Sequence, residues 1–353
     1  MLPFGPPLSP MLGQLANDLP EGDGWWFEPK WDGFRVLAFR DGDRLDLRSR
    51  DDRPLARYFP EVVAALAEAL PPAAVVDGEI VIVRDGSLDF DALQLRLHPA
   101  ASRVALLSEQ TPAGVVLWDL LAEADRDLRD APFRERRAAL VAAVTESPSV
   151  RITPTTEDRA VARDWFERFE GAGLDGVMAK PPDAPYAPGK RAMVKVKHLR
   201  TLDCAVAGFR WKKGGKGEEV GSLVLGLFDD EGRLHPIGVA SAFSKAEGRR
   251  LKDVLWPLRI EDPANSDHPW ASWTGEGASV GMRSRWNARR DLSWVTLRLE
   301  KVVEVATTQH SGRRLRHPAK VVRWREDRVP ASCRMEQLTV APAPELAELF
   351  GRG

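Results

Sequence analysis

The chain reads as an α+β protein, with a sheet-and-helix part over residues 1–200 followed by a small β-barrel of the OB type over 201–340 and a C-terminal tail over 341–353. Three observations carry this reading. A length of 353 residues exceeds one domain at roughly 150 residues each. Up to Leu174, apolar runs of strand length alternate with stretches of strong helix formers. Beyond it the texture changes to short strands parted by Gly turns, with one inserted helix.

Taken in order, the first 24 residues are rich in Pro and Gly and read as an irregular lead-in. From Trp25 an apolar run to Lys30, then FRVLAF, the turn Asp41-Gly42-Asp43 and LDLRS predict a hairpin. PEVVAALAEAL at 60–70 predicts a helix stopped by Pro71-Pro72. AVVDGEIVIV and GVVLWDLL (114–121) are strands, and FRERRAALVAAV behind Pro132 is a helix with Pro in its first turn. Thr156 caps a further helix, with Val161, Trp165 and Phe169 at i, i+4 and i+8. DGVMAK, AMVKVK, CAVAGFRW, SLVLGLFD and LHPIGVAS follow as strands; a helix occupies 244–258, and VTLRLEKVVEVA and AKVVRW complete the strand set. The boundary is expected near Thr201.

Composition is that of an ordinary folded protein, with 43% hydrophobic and 29% charged residues. Two cysteines, Cys204 and Cys333, can make neither a disulfide framework nor a four-cysteine zinc site. No apolar run reaches 18 residues, and MLPFGPPLSP lacks the build of a signal peptide. A reduced, cytoplasmic monomer is expected. The net charge of −1 hides an asymmetry: residues 1–200 carry 26 basic against 32 acidic side chains, whereas 281–334 carry 14 against 5. Such a segment suits a polyanion, since each neutralised phosphate releases counterions.

Gly171-Ala-Gly173-Leu-Asp-Gly176 matches G-x-G-x-x-G, but it follows a helix and opens a strand, the reverse of a dinucleotide fingerprint. Gly214 to Gly217 is no Walker loop, because no Ser or Thr follows Lys216. Chemistry concentrates elsewhere. Lys30 and Arg35 lie in KWDGFR, Arg50 in LRSRD, Glu79 in VVDGEIV, Trp118 in VVLWDLL, Asp175 in LDGVMAK, and Lys195 and Lys197 in MVKVK, where alternation places both on one strand face. A lysine attacks phosphorus only when neutral, which calls for desolvation or neighbouring positive charge.

In this order the motifs resemble those of the covalent nucleotidyltransferases, which comprise ATP-dependent DNA ligases, RNA ligases and capping enzymes. EPKWDGFR, LDGVMAKPPDAPYAPGK and VKVKHLRTLDCAVAGFR are similar in particular to the bacterial ATP-dependent DNA ligase C group, from about Gly24 to about Gln337. The resemblance implies an adenylation domain of antiparallel sheets flanked by helices, followed by an OB-fold. It implies that Lys30 is adenylated by ATP, with Glu28 also at the nucleotide, Arg35 and Arg50 on ribose and phosphate, and Glu79 on a ribose hydroxyl. Trp118 would stack on adenine, Asp175 with Glu79 would hold Mg2+ (or Mn2+), and Lys195 and Lys197 would meet the α-phosphate. Asp175 stands where the wider family usually has Glu. Arg323, Arg325 and Arg328 in RWREDR resemble the motif that orients pyrophosphate. Nicked duplex DNA is the implied substrate and DNA repair the implied setting, with Arg313, Arg314 and Arg316 among the DNA contacts. Only 29 residues precede Lys30, an expectation that favours ATP over NAD. An RNA ligase or other covalent nucleotidyltransferase is one alternative and a non-enzymatic OB-type nucleic-acid-binding protein another; the latter needs none of Lys30, Glu79 or Lys195.

Overall fold

The computed structural model describes residues 1–273, 292–308, 310–339 and 346–350. They belong to two compact units, Met1–His198 with Val340–Gly353, and Leu199–Thr339.

In chain order the first unit carries β1 (Leu12–Ala16), β2 (Trp26–Lys30), β3 (Phe34–Asp41), β4 (Arg44–Ser49), α1 (Pro60–Ala69), β5 (Ala73–Val81), α2 (Ala101–Gln110), β6 (Gly114–Glu123), α3 (Phe133–Ala143), β7 (Val150–Ile152), α4 (Arg159–Arg168), β8 (Gly176–Lys180) and β9 (Arg191–Lys197). One sheet has the order β1-β9-β8-β2, the other β7-β6-β5-β3-β4. Both are antiparallel except at one edge, where β1 runs parallel to β9 and β7 parallel to β6.

Strand β3 reads as a continuous apolar run because both its faces are buried. Val36 and Ala38 pack with Val62 and Leu66 of α1, while Leu37 and Phe39 pack with Tyr186 and Met193 of the other layer. Helix α1 starts on Pro60, which lacks the N–H a first turn leaves unpaired, and buries Val62, Leu66 and Ala69 at i, i+4 and i+7. It ends as Leu70 turns extended ahead of Pro71. Leu66 is fully buried, and cutting it to Ala would cost about 2–5 kcal/mol.

Three expectations are corrected here. The lead-in is not wholly irregular: β1 forms parallel beside β9, with Leu15 opposite Lys195. The segment Trp26–Lys30 does not pair with FRVLAF; it pairs with β8, so Trp31–Gly33 is a crossover between sheets and the true hairpin is β3–β4. The cap of α4 is Asp158, whose carboxylate accepts from the Ala160 N–H, rather than Thr156. Leu346 and Leu349 of the terminal segment are buried with Phe27, Trp165 and Phe169 in the first unit.

The second unit contains β10 (Arg200–Trp211), β11 (Val220–Phe228), β12 (Leu234–Ser241), α5 (Lys245–Leu255), β13 (Val302–Thr307) and β14 (Lys320–Trp324) in the sheet order β12-β11-β10-β13-β14. The Ala319 N–H donates to Val239 and the Ser241 N–H to Ala319, so the chain entering β14 meets β12 and closes a barrel. Ser244 caps α5, which buries Leu251 and Leu255 on the barrel core. Among the described residues no helix is long and apolar enough to cross a membrane.

Candidate active site

Lys30 is the last residue of β2 and faces Gly176 across the ladder to β8. Gly176 has φ +135°, and a Cβ there would lie 1.9 Å from the Val196 carbonyl oxygen, so only glycine fits. This close approach seats Asp175, whose N–H donates to the Lys30 carbonyl, directly at the lysine. Asp175 Oδ2 lies 2.6 Å from Lys30 Nζ and 2.5 Å from Lys197 Nζ. Burial opposes ionisation of that carboxyl, yet the two ammonium groups outweigh it and hold it below the usual carboxylate range. Among the described residues its second oxygen, Oδ1, is buried with no hydrogen-bond partner.

Lys195 lies in the same field. Burial, then the like charges of Lys197, Lys30 and Arg50, keep its ammonium below the ordinary lysine value. Arg50, exposed after β4, is thereby placed on the cationic side of the site. Two ammonium groups on one buried carboxylate, with Lys195 beside them and Arg50 in the field of Lys195, form an arrangement that an incoming polyphosphate would complete.

The second sheet supplies the other wall. Arg35 and Glu79 are opposed in the β3–β5 ladder. Gly33 approaches so closely that a Cβ would lie 2.1 Å from the Ile80 carbonyl oxygen, and its N–H donates to Glu79 Oε1 at 3.1 Å. Burial pushes the Glu79 carboxyl up to about 7, against the pull of Lys30 and Arg35. Arg35 was expected on ribose and phosphate. It grips Asp77 through Nε and Nη2, both at 2.5 Å, and Nη2 also donates to the Met11 carbonyl. Among the described residues Nη1 alone is left to meet a nucleotide. The guanidinium carbon sits 4.6 Å from the Trp118 ring centroid, so a base stacking there takes the opposite face or displaces it. Glu28 is buried and paired with Lys180 at 2.6 Å. Glu28, Lys30, Arg35, Glu79, Trp118 and Lys180 line one cleft.

Sequence reasoning missed Asp77, Tyr186 and Lys180. Tyr186 donates to Asp77 Oδ2 at 2.7 Å and accepts from the Met11 N–H at 3.0 Å, locking the N-terminal segment to the Arg35 pair. The signal was present for Asp77 and Lys180, which flank Glu79 and Asp175 within VVDGEIV and LDGVMAK.

Among the described residues no group of three or more His, Cys, Asp or Glu is arranged as a metal cage. Asp175 with its orphaned oxygen, and Glu79, nevertheless suit a magnesium ion that takes its remaining ligands from phosphate and water. In the second unit the three arginines of RWREDR are all paired. Arg323 Nε meets Glu304 at 2.6 Å, Arg325 Nη1 meets both oxygens of Asp203 at 3.0 and 2.9 Å, and Arg328 Nη1 meets Asp203 at 2.5 Å. Arg313 and Arg314 are exposed at the hairpin joining His310–Ser311 to Arg314–Leu315, and Arg316 is half-buried. The part of the basic stretch at 281–291 lies outside the described residues.

The model of the ATP dependent DNA ligase domain matches residues 10–197, and that of the ATP dependent DNA ligase C terminal region matches 216–328. The chain belongs to the ATP-dependent DNA ligases, enzymes that form phosphodiester bonds. Within them it falls in the ligase C group. It is 51% identical to DNA ligase C of Mycobacterium tuberculosis over 96% of this chain and 95% of that one. It is 52% identical to DNA ligase C2 of Mycolicibacterium smegmatis over 97% of each. A solved Lig E DNA ligase covers 89% of this chain and 99% of its own, with a TM-score of 0.54 at 16% identity, a likeness of fold alone.

Proposed function

We propose that Lys30 is the residue adenylated by ATP and that the cleft around it carries out nick sealing. The observation that supports this most is the shared carboxylate: Asp175 holds Lys30 and Lys197 at one point with Lys195 beside them. The Lys30 amine gives up a proton and attacks the α-phosphorus. A P–N bond forms, the bond to the bridging oxygen breaks, and pyrophosphate leaves with the electron pair. Lys195 and Lys197 offset the charge gathering on the α-phosphate. Glu79 accepts from a ribose hydroxyl, and Arg50 meets a phosphate. The AMP then passes to the 5′-phosphate of the nick, and attack by the 3′-hydroxyl joins the strands and expels AMP.

Magnesium, when bound at Asp175 and Glu79, would screen the phosphate charge. Arg323 and Arg325 orient pyrophosphate, which requires release from Glu304, Asp203 and Asp327. Arg313, Arg314 and Arg316 contact the DNA backbone, and the setting is DNA repair. Incubation with α-labelled ATP and Mg2+ should label the chain covalently, and labelled chain should seal nicked duplex DNA. Label that survives Lys30→Ala would refute the assignment.

A further inference from the structure

The turn KKGGKGEE between β10 and β11 takes no part in the adenylation chemistry. It brings Lys212, Lys213 and Lys216 to the surface. Helix α5 lies against the same end of the barrel. A Cβ at Gly248 would stand 2.8 Å from the Val220 carbonyl oxygen, so glycine lets the helix rest directly on the first residue of β11. Leu251 and Leu255 face the core. Lys245, Arg249, Lys252 and Trp256, at i, i+4, i+7 and i+11, therefore share one flank of the helix, with Glu247 on the other. That flank meets the turn. The Glu219 side chain, 6% exposed, lies 3.6 Å from Lys212, 3.8 Å from Lys245 and 3.5 Å from Arg249. The three cations are 45%, 69% and 56% exposed, so one buried carboxylate fixes their positions and leaves surplus positive charge turned to solvent. At its far end the flank becomes aromatic. Trp256 is 38% exposed, its ring centroid lies 5.8 Å from that of Trp211, and the Arg259 guanidinium stands 4.4 Å over it.

We infer that this ledge binds an unpaired DNA strand, with its cations on successive phosphates and Trp256 stacked on a base. From Lys245 to Trp256 the flank runs about 16 Å, the length of roughly five stacked nucleotides. An intact duplex keeps its bases stacked on one another and could use the cations alone. An unpaired strand also has ring faces free, and a row of cations ending on an exposed tryptophan matches both of its features. The ledge lies wholly within the second unit and does not depend on which lysine is adenylated. In a ligase it would hold the unpaired segment that a gap or a flap leaves beside a break.

The test is the fluorescence anisotropy of a labelled oligothymidylate of about ten nucleotides binding to the full chain, with a blunt duplex of equal length as the comparison. Trp256→Ala should weaken single-strand binding about five- to a hundredfold and leave blunt-duplex binding nearly unchanged. Lys252→Ala should flatten the salt dependence of single-strand binding by roughly 0.7 of a slope unit, the loss of one phosphate contact. Neither side chain belongs to the Glu219 ion cluster, so both variants should keep the fold, as melting will show, and should self-adenylate with α-labelled ATP as the wild type does. A wild-type chain that does not bind the oligothymidylate overturns the inference. So do variants that bind it like the wild type, and so does an equal loss on the blunt duplex in Trp256→Ala.

Discussion

Asp77 is the residue whose removal should damage the cleft most without touching the proposed chemistry. Its carboxylate is fully buried and accepts two hydrogen bonds of 2.5 Å from Arg35 and one of 2.7 Å from Tyr186. Asp77→Ala leaves a guanidinium and a hydroxyl with no acceptor, a loss of about 3–5 kcal/mol for one partner of a buried pair. Tyr186→Phe removes one donor to that carboxylate and one acceptor for the Met11 N–H, about 2 kcal/mol. At about 2–4 °C per kcal/mol for a unit of this size, the first variant should melt roughly 6–20 °C lower and the second roughly 4–8 °C lower. The double variant should cost less than the sum by about 1–2 kcal/mol, because the hydroxyl has already lost its acceptor. Calorimetry on the full chain, following the first unit's transition, measures all three. Adenylation should show a raised KM for ATP in Asp77→Ala, as Arg35 comes loose over Trp118. Strict additivity of the two substitutions would refute the network, and an unchanged Tm in Asp77→Ala would reduce the residue to a ligand contact.

Lys30→Arg should abolish labelling by α-labelled ATP, because a guanidinium stays protonated and cannot attack, while Lys197 keeps Asp175 paired and the melting point nearly unchanged; a labelled Lys30→Arg chain would place the nucleophile elsewhere. Glu79 carries a pH signature. Its folded-state carboxyl lies near 7 against the usual 4.5, so the folded chain holds the extra proton between those values and stability falls as pH rises through them. Glu79→Gln should therefore leave the melting point unchanged at pH 4.5 and raise stability by about 1–3 kcal/mol at pH 8, once the partial exposure of the group is allowed for; equal shifts at both pH values would show that its burial does not perturb it. Neutralising Arg313 and Arg314 should flatten the salt dependence of nicked-duplex binding by roughly one unit of slope per lost phosphate contact and leave adenylation intact; unchanged slopes would remove the hairpin from the DNA surface. Asp203→Ala should take one carboxylate from Arg325, which Asp327 still holds, and from Arg328, lower the barrel's melting point and alter lysine adenylation more than sealing of pre-adenylated nicks; a change in melting point alone would make Asp203 purely structural.

The residues proposed to carry the reaction were legible because each sits in a short motif whose types and order recur, and because Lys195 and Lys197 alternate on one strand. What failed was long-range pairing. Trp26–Lys30 looks like one arm of a hairpin, yet its partner is Gly176–Lys180, far along the chain, and no local pattern encodes that choice. The strand Leu12–Ala16 lacks alternation and exists because β9 offers an edge. Helix Ala101–Gln110 was missed because its start, Ala100, offers no side-chain cap. Asp77 and Lys180 were overlooked for a different reason: their importance lies in what they touch, Arg35 and Tyr186 for one and Glu28 for the other.

Residues 346–350 follow the barrel in the chain, but Leu346 and Leu349 complete a core begun at Leu19 and Phe27, and the Leu346 N–H donates to the Gly86 carbonyl. During synthesis the order of events is therefore inverted. The first unit emerges first, yet it must wait while Leu199–Thr339 is made, a delay on the order of ten seconds at bacterial elongation rates. Through that interval Trp165, Phe169 and Leu174 lack their last apolar cover, whereas the barrel has all its strands in one continuous stretch. A nascent chain stalled just after the barrel should accordingly bind hydrophobic-surface chaperones through its older half, not its newer one.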